Sequence, residues 1–392
     1  MLNKDYIQEL VGLEDVIVKD VKNINGNLHL FIQMEHRIHN CPCCSTKTSK
    51  VHDYRIQEVK DISAFGNFTI LHLRKRRHVC PKCGKKFFEI INFLPKYHRI
   101  TNRLFAYMLK QFTEVRSTKA IAKSNNVSTN TAVRIFDKVT YPKPNLPEVL
   151  SIDEFKGNAN GEKFQCILTD AKHKKVLDVL PARKLDELCK YFGSFDNRKK
   201  VKYVIMDMSP LFKSVAKVCF PKAIIVADKY HVVRQVTWAF ESVRKSEQKK
   251  FAKDRRLHFK RSRQILLKPS YTLTTEETEK VEVMLSASER LRQAYLIKTE
   301  FEKFMRCNSS SEARKELSKW IVFTQNYNLP EFNSCCRTYI NWSKEILAFF
   351  DVPYTNGYTE GINNKIKVLK RTCYGVTNFE RFRNRIMHCM TF

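Results

Sequence analysis

Acid is scarce in this 392-residue chain: 40 Asp and Glu stand against 71 Lys and Arg, a formal net charge of +31. An excess of that size builds a field that attracts polyanions, of which nucleic acid is the commonest. Glycine is scarce as well, with 10 residues, which argues against low-complexity or loop-dominated structure. No apolar run reaches ~18 residues, so a membrane-spanning helix is excluded on length. The start, Met1-Leu-Asn-Lys-Asp-Tyr6, carries Lys4 and Asp5, with Glu9 close behind, where a signal peptide needs an apolar core. The expectation is a cytoplasmic chain without a membrane partner. Disulfides are not expected there, so metal binding or burial must explain the 13 cysteines.

What is present fits a chain of two to four domains. Residues 74–86 hold seven Lys/Arg and no acid; residues 234–268 hold twelve against three acids. Several separate basic patches suit a long nucleic-acid track better than one small anion. Val16-Ile-Val18 and Leu28-His-Leu-Phe-Ile32 flank Asn25-Gly26, a hairpin signal because both turn residues tolerate positive φ. With the alternating run Phe68–Lys75, residues 1–98 read as a small β-rich domain. From residue 99 the period changes to helical, with Leu104, Phe105, Met108, Leu109 and Phe112 on one face. Pro142-Lys-Pro-Asn-Leu-Pro147 reads as a linker. Beyond it the texture is α/β, with strand-like runs at 149–155, 164–169, 175–180, 201–206 and 223–227 and helical patterns at 185–192 and 211–220. That order, β-β-β-α-β-α-β, is the order of the ribonuclease-H-like fold. Residues 230–350 read as helical.

Cys41-Pro-Cys-Cys44 and Cys80-Pro-Lys-Cys83 are two copies of a C-P-x-C knuckle. Each grips an ion from one side, and two complete a tetrahedral site, predicting one structural Zn²⁺ on Cys41, Cys44, Cys80 and Cys83. Cys43 is a bystander or a substitute for Cys41. Four thiolates leave no open position for catalysis. Gly84 allows its turn to tighten, and Ser45 holds the matching place in the other knuckle.

The segment from Ser117 to Phe136 resembles a helix-turn-helix. Ser117 or Thr118 caps one helix, Ser128 or Thr129 the next, and Asn125-Asn126 supplies the turn. Ala122, Val127 and Val133 are expected to pack the two helices. That leaves Thr129, Asn130 and Arg134 for the major groove of double-stranded DNA; a hairpin used only for packing is the other reading.

In the α/β region Asp153 lies within the first strand and Asp207 ends the fourth. In the fold order above those strands are adjacent, so both carboxylates can share divalent ions. Two such ions ~4 Å apart activate an attacking hydroxyl and stabilise a leaving oxygen of a phosphodiester. Glu154 is the rival to Asp153, but strand alternation puts the two on opposite faces. Glu360 heads a predicted helix from Thr359. Asn363, Asn364, Lys367, Lys370 and Arg371 continue its polar stripe, opposite an apolar stripe of Ile362, Ile366 and Leu369. Asn363 and Asn364 are expected as accessory groups close to the site, and Lys365, Lys367, Lys370 and Arg371 as contacts to DNA. A lone acid on a basic stripe suits a metal held beside a phosphate backbone; a solvated helix face is the ordinary alternative. Asp228 and His231 are open to two readings, a helix N-cap or an accessory contact to metal or phosphate. The basic segment 244–263 reads as a DNA-facing surface, and Trp238, Trp320 and Trp342 as core.

Taken together, these parts resemble the bacterial DDE transposases of the ISL-three insertion-sequence family. The resemblance rests on the paired knuckles, His52-Asp-Tyr-Arg55, the helix-turn-helix, Ile152-Asp-Glu-Phe155, Met206-Asp-Met-Ser209, Ala227-Asp-Lys-Tyr-His231 and Asn356-Gly-Tyr-Thr-Glu-Gly-Ile-Asn-Asn-Lys365. Ser45 stands where Gly is usual and Tyr230 where Phe is common. The resemblance implies Asp153, Asp207 and Glu360 as the acidic triad holding two Mg²⁺ (or Mn²⁺) ions. It implies a multidomain α+β chain: zinc ribbon (1–98), helix-turn-helix (99–145) and a ribonuclease-H-like α/β catalytic domain (146–229 and 353–392) interrupted by an all-helical insertion (230–352). The implied activity is binding of terminal inverted repeats, then metal-dependent cleavage and strand transfer into target DNA, by a homodimer at the nucleoid. The rivals are a catalytically inactive DNA-binding regulator and a structure-selective nuclease of the same fold.

Overall fold

The computed structural model describes residues 4–261 and 263–391, and the chain divides into two compact units. The first holds residues 4–141 and 368–375, the second residues 142–367 and 376–391. No helix among the described residues is long and apolar enough to cross a membrane.

In the first unit, Asn25 and Gly26 at φ 52° and 75° close a two-residue turn between Val16–Ile24 and Asn27–Met34. Two left-handed residues match the right-handed twist of the strands they join. Phe65 and Gly66, at 51° and 80°, repeat the device between Val51–Ala64 and Asn67–Val79. The sheet runs Val16–Ile24, Asn27–Met34, Asn67–Val79, Val51–Ala64, and Lys86–Phe88 also pairs with the third of these. Alternate residues, among them Val16, Val18, Leu30, Ile32, Leu71 and Leu73, fill one buried face.

Three helices follow, Asn102–Gln111, Thr118–Ser124 and Thr129–Phe136. Ser117 and Ser128 cap the last two, accepting from the N–H groups of Ala120 and Thr131. Asn126 makes the turn at φ 51°. Leu104, Met108, Phe112, Ile121, Ala122, Ala132, Ile135 and Phe136 form the core, with Val127 against it. Val133, expected to pack the two helices, stands outside this cluster. A helix beginning at Thr129 turns Ala132, Ile135 and Phe136 inward instead.

The second unit is built on a five-stranded sheet. Its strands are Val149–Phe155, Gln165–Asp170, Lys175–Leu180, Tyr203–Met206 and Ile224–Ala227, ordered third, second, first, fourth, fifth. The first three are antiparallel neighbours, and the fourth and fifth run parallel to the first. Each lies within two residues of the run read from the sequence. Between Lys229 and Ala348 the described elements are helical, and they pack on Phe240, Phe301, Phe304, Trp320 and Tyr339. Leu146 is buried in the same core, so the proline-rich linker ends as an anchored segment. Helix Gly357–Thr372 begins two residues before the expected start, and it buries Ile362, Ile366 and Leu369 as its apolar stripe.

Candidate functional site

Strand register brings the acids together. Met206 pairs with Ile152 on one side and with Ala227 on the other. The next residue in each chain is Asp153, Asp207 and Asp228, so three adjacent parallel strands present carboxylates at one level. Neighbouring strands are ~4.8 Å apart, which lets side chains at one level meet. The carboxyl ends of such strands are where open α/β sheets bind ligands.

The fourth carboxylate arrives on a helix. Thr359 bonds to Ser151 Oγ at 3.1 Å and to Thr169 Oγ1 at 2.7 Å, and Asn356 bonds to Ser151, all buried. These bonds fix the first turn of helix Gly357–Thr372 to the first and second strands. Glu360 then lies with Asp228 and His231 so that a donor atom of each is within 4.8 Å of the others. One turn on, Asn363 Nδ2 donates to Asp153 Oδ2 at 2.9 Å, and Asn356 Nδ2 stands 3.5 Å from the same oxygen. The second Asp153 oxygen accepts the Glu154 N–H at 2.7 Å. Asp207 Oδ1 is buried without a hydrogen-bond partner among the described residues. Asp228 caps helix Lys229–Lys249 through the Tyr230 N–H and also takes His231 Nδ1 at 2.6 Å. Asp228 thus makes the helix cap expected of it, and it stands in a cluster with His231 and Glu360. Glu154 pairs with Arg183, and its charge still bears on Asp207.

Crowded like charges in a buried site shift toward their protonated forms. Burial pushes the Asp153 carboxyl up to about 7, and the charge of Asp207 adds to this against the Glu154 N–H. Burial also raises Asp207, and burial with the Asp228 charge raises Glu360. Burial alone would lower His231, but its bond to Asp228 leaves it raised. An orphaned carboxylate oxygen among acids held above their usual range is a donor set that a divalent cation relieves.

These shifts make the metal-free chain's stability depend on pH. Folded Asp153 keeps a proton that the unfolded chain releases, so stability falls as pH rises from about 4 to about 7 and then levels. Asp153→Asn removes this slope. Denaturant melts in chelator from pH 4 to 8 should show the variant gaining on wild type by a few kcal/mol, at roughly 1.4 kcal/mol per pKa unit. A wild-type advantage that grows with pH contradicts the burial of this carboxylate.

In the first unit the four expected thiols converge. Cys41, Cys44, Cys80 and Cys83 lie within 4.8 Å of one another, with Sγ–Sγ separations of 3.5 Å for Cys41–Cys83, Cys44–Cys80 and Cys44–Cys83. Sulfurs ~2.3 Å from a tetrahedral zinc stand ~3.8 Å apart, so the set fits. Cys43 is exposed and lies outside the group, which includes Cys41. Ser45 and Gly84 occupy equivalent left-handed positions, φ 55° and 69°, with their N–H groups on the Cys41 and Cys80 carbonyls. Thr129, Asn130 and Arg134 are exposed on the second helix of the helix-turn-helix, as are Asn364, Lys365, Lys367 and Arg371 on helix Gly357–Thr372; Lys370 is half-buried.

Some readings change. Trp238 is 59% exposed, with Arg234 4.4 Å over its ring, because it lies on the outer face of helix Lys229–Lys249. Trp320 and Trp342 are buried as expected. Arg244, at the head of the basic segment 244–263, points inward and is held by Glu241 and Gln248, so that segment is not wholly a surface; position 262 lies outside the described residues. Asn356 was given no role by the sequence, although its Asn-Gly step just before a helix marked it as a start signal.

Residues 150–386 match a DDE-type family model of ISL3 described as transposase. Residues 37–84 match the zinc-finger of transposase IS204/IS1001/IS1096/IS1165, and residues 89–140 match the helix-turn-helix domain of transposase family ISL3. The chain is 25% identical over 395 residues, 97% of each protein, to the transposase for insertion sequence element IS1001 of Bordetella parapertussis. It is 22% identical over 251 residues, 58% of this chain and 56% of the relative, to the transposase for insertion sequence element IS1557 of Mycobacterium tuberculosis. A Lactococcus lactis protein named ATP-dependent protease is 34% identical over 112 residues, 28% of this chain and 34% of that protein.

Proposed function

The chain belongs to the ISL3 family of DNA transposases, and we propose that its acidic locus is the centre that cuts and joins DNA at the ends of an insertion sequence. The observation that carries this is the common level of Asp153, Asp207 and Asp228 on parallel strands, with Glu360 delivered beside Asp228. The sheet order supports a ribonuclease-H-like fold, in which the helices from Lys229 to Ala348 are an insertion before the last acid. The domain boundaries proposed are those of the sequence reading, 1–98, 99–145, 146–229, 230–352 and 353–392, although residues 368–375 cluster with the first unit.

Asp153, Asp207 and Glu360 would hold the divalent ions, with Asp228 and His231 beside them. When bound, a pair of Mg²⁺ or Mn²⁺ ions supplies an activated hydroxyl and charge stabilisation at the leaving oxygen. The chain's own part is positional. Asn363 and Asn356 aim the Asp153 carboxylate, and the Ser151–Thr169–Thr359 bonds fix the start of the helix that brings Glu360. Asp228 holds His231 through Nδ1, leaving Nε2 for the site.

The zinc ribbon and helix-turn-helix select the DNA. Thr129, Asn130 and Arg134 read base edges of the terminal inverted repeats, while Lys365, Lys367, Lys370 and Arg371 contact phosphate. Cutting two ends in step calls for a homodimer on DNA.

The test is cleavage of a linear duplex carrying the element's two ends, against a scrambled-end control. Nicking at the ends that needs Mg²⁺ or Mn²⁺, followed by joining to a target plasmid, is expected. Specific binding without nicking would make the chain a DNA-binding regulator. Cutting of branched DNA whatever its end sequence would make it a structure-selective nuclease.

A further inference from the structure

The duplicated knuckle is longer than C-P-x-C. Histidine stands two residues before each first cysteine, in His39-Asn-Cys41-Pro-Cys-Cys44 and His78-Val-Cys80-Pro-Lys-Cys83. The fold sets the two rings side by side and tilted at 45°, with centroids 4.6 Å apart. Glu89 joins them from the end of strand Lys86–Phe88, which pairs beside His78. One donor atom each from His39, His78 and Glu89 lies within 4.8 Å of the other two, and none of the three belongs to the thiolate set.

His78 gives the second observation. It is fully buried, yet neither ring nitrogen has a hydrogen-bond partner among the described residues. The Lys50 backbone is the polar group beside the ring. Leaving a buried polar group unpaired costs roughly 1–3 kcal/mol, so an imidazole used only to fill space is a poor choice where phenylalanine would serve. Glu89 is aimed in advance. Arg76 donates to it from its backbone N–H at 2.6 Å and from its guanidinium at 3.1 Å, while the same guanidinium is anchored on the Met34 carbonyl at 2.8 Å. Each carboxylate oxygen keeps a lone pair after these bonds, and such outer contacts are how proteins orient metal ligands.

We propose that His39, His78 and Glu89 form a second metal site in the N-terminal unit, distinct from the four-cysteine site, for a divalent transition cation such as Zn²⁺. Two imidazoles and a carboxylate are a borderline donor set that suits Zn²⁺ and disfavours Mg²⁺ or Ca²⁺. Three protein ligands leave one position for water or for His36, which is exposed and close enough for its charge to bear on both rings. The site would tie Glu89, beyond the second knuckle, to the strand ahead of the first, bracing the ribbon.

The full-length chain, loaded with Zn²⁺ and freed of excess metal, is expected to hold two equivalents bound through these N-terminal ligands, measured without Mg²⁺ or Mn²⁺. His39→Asn and His78→Phe should each hold one. In Co²⁺-loaded protein the thiolate charge-transfer band should persist in both variants, certifying that the knuckles remain folded, while a weaker visible band without thiolate character disappears. The proposal is overturned by a wild-type chain holding one equivalent. It is equally overturned if His39→Asn keeps two, or if His78→Phe keeps the wild-type metal content and melts at a higher temperature, as a relieved aromatic filler would.

Discussion

Asp153→Asn should abolish cleavage of end DNA, by on the order of 10³-fold or more, while binding of the same DNA is nearly unchanged. The substitution keeps shape and volume, and the Glu154 N–H still finds the side-chain carbonyl oxygen. What it removes is a charge at the level where Asp207 and Asp228 also stand. Because that charge is buried among acids, its loss should stabilise the metal-free protein even as activity disappears. Lost function with gained stability separates a site residue from a structural one, whose replacement would lower both. The surface proposed to select DNA lies on the helix-turn-helix, so a gel-shift titration should barely distinguish variant from wild type. Strand transfer at the wild-type rate would remove Asp153 from the chemistry.

Cys80→Ser should abolish end binding instead. Cys80 is 1% exposed and is one of only four thiols in its cluster. Binding of a structural zinc contributes roughly 10–16 kcal/mol of folding free energy in small zinc modules, more than a ribbon with two-residue strands supplies by packing. The strands His39–Asn40 and Lys47–Thr48 that carry one knuckle make a single short ladder. The variant should therefore lose the Co²⁺ thiolate band and sequence-specific binding together, while the second unit keeps its cooperative melt. Cys43→Ser, at an exposed thiol outside the cluster, should change neither. A Cys80→Ser chain that still binds end DNA would show that the knuckles do not hold the recognition surface.

Features set by local chemistry were legible in the sequence. Asn25-Gly26 closes the hairpin, Ser117 and Ser128 cap the expected helices, and the C-P-x-C spacing places four sulfurs round one point. Each depends on residues a few positions apart, so the pattern carries the geometry. Pairing across the sheet is different. That Asp228 stands level with Asp153 and Asp207 follows from the register Ile152–Met206–Ala227, which no local signal fixes. Its capping role was visible because a cap needs only the next two residues. Asn363 was expected on a polar stripe and close to the site; that it is buried on Asp153 while Asn364 is exposed is decided by the sheet beneath the helix. Trp238 and Arg244 exchanged their expected surroundings for a similar reason. Helix Lys229–Lys249 buries one face against its neighbours, and residue type alone did not say which.

The central claim is that Asp153, Asp207 and Glu360 line one divalent-metal site, with Asp228 and His231 at its edge. Diffraction from crystals soaked in Mn²⁺, recorded at a wavelength where manganese scatters anomalously, tests it most directly. The expected result is anomalous density bounded by these carboxylates and lost in Asp153→Asn. Density elsewhere, or none at Mn²⁺ concentrations that support cleavage in solution, would contradict it.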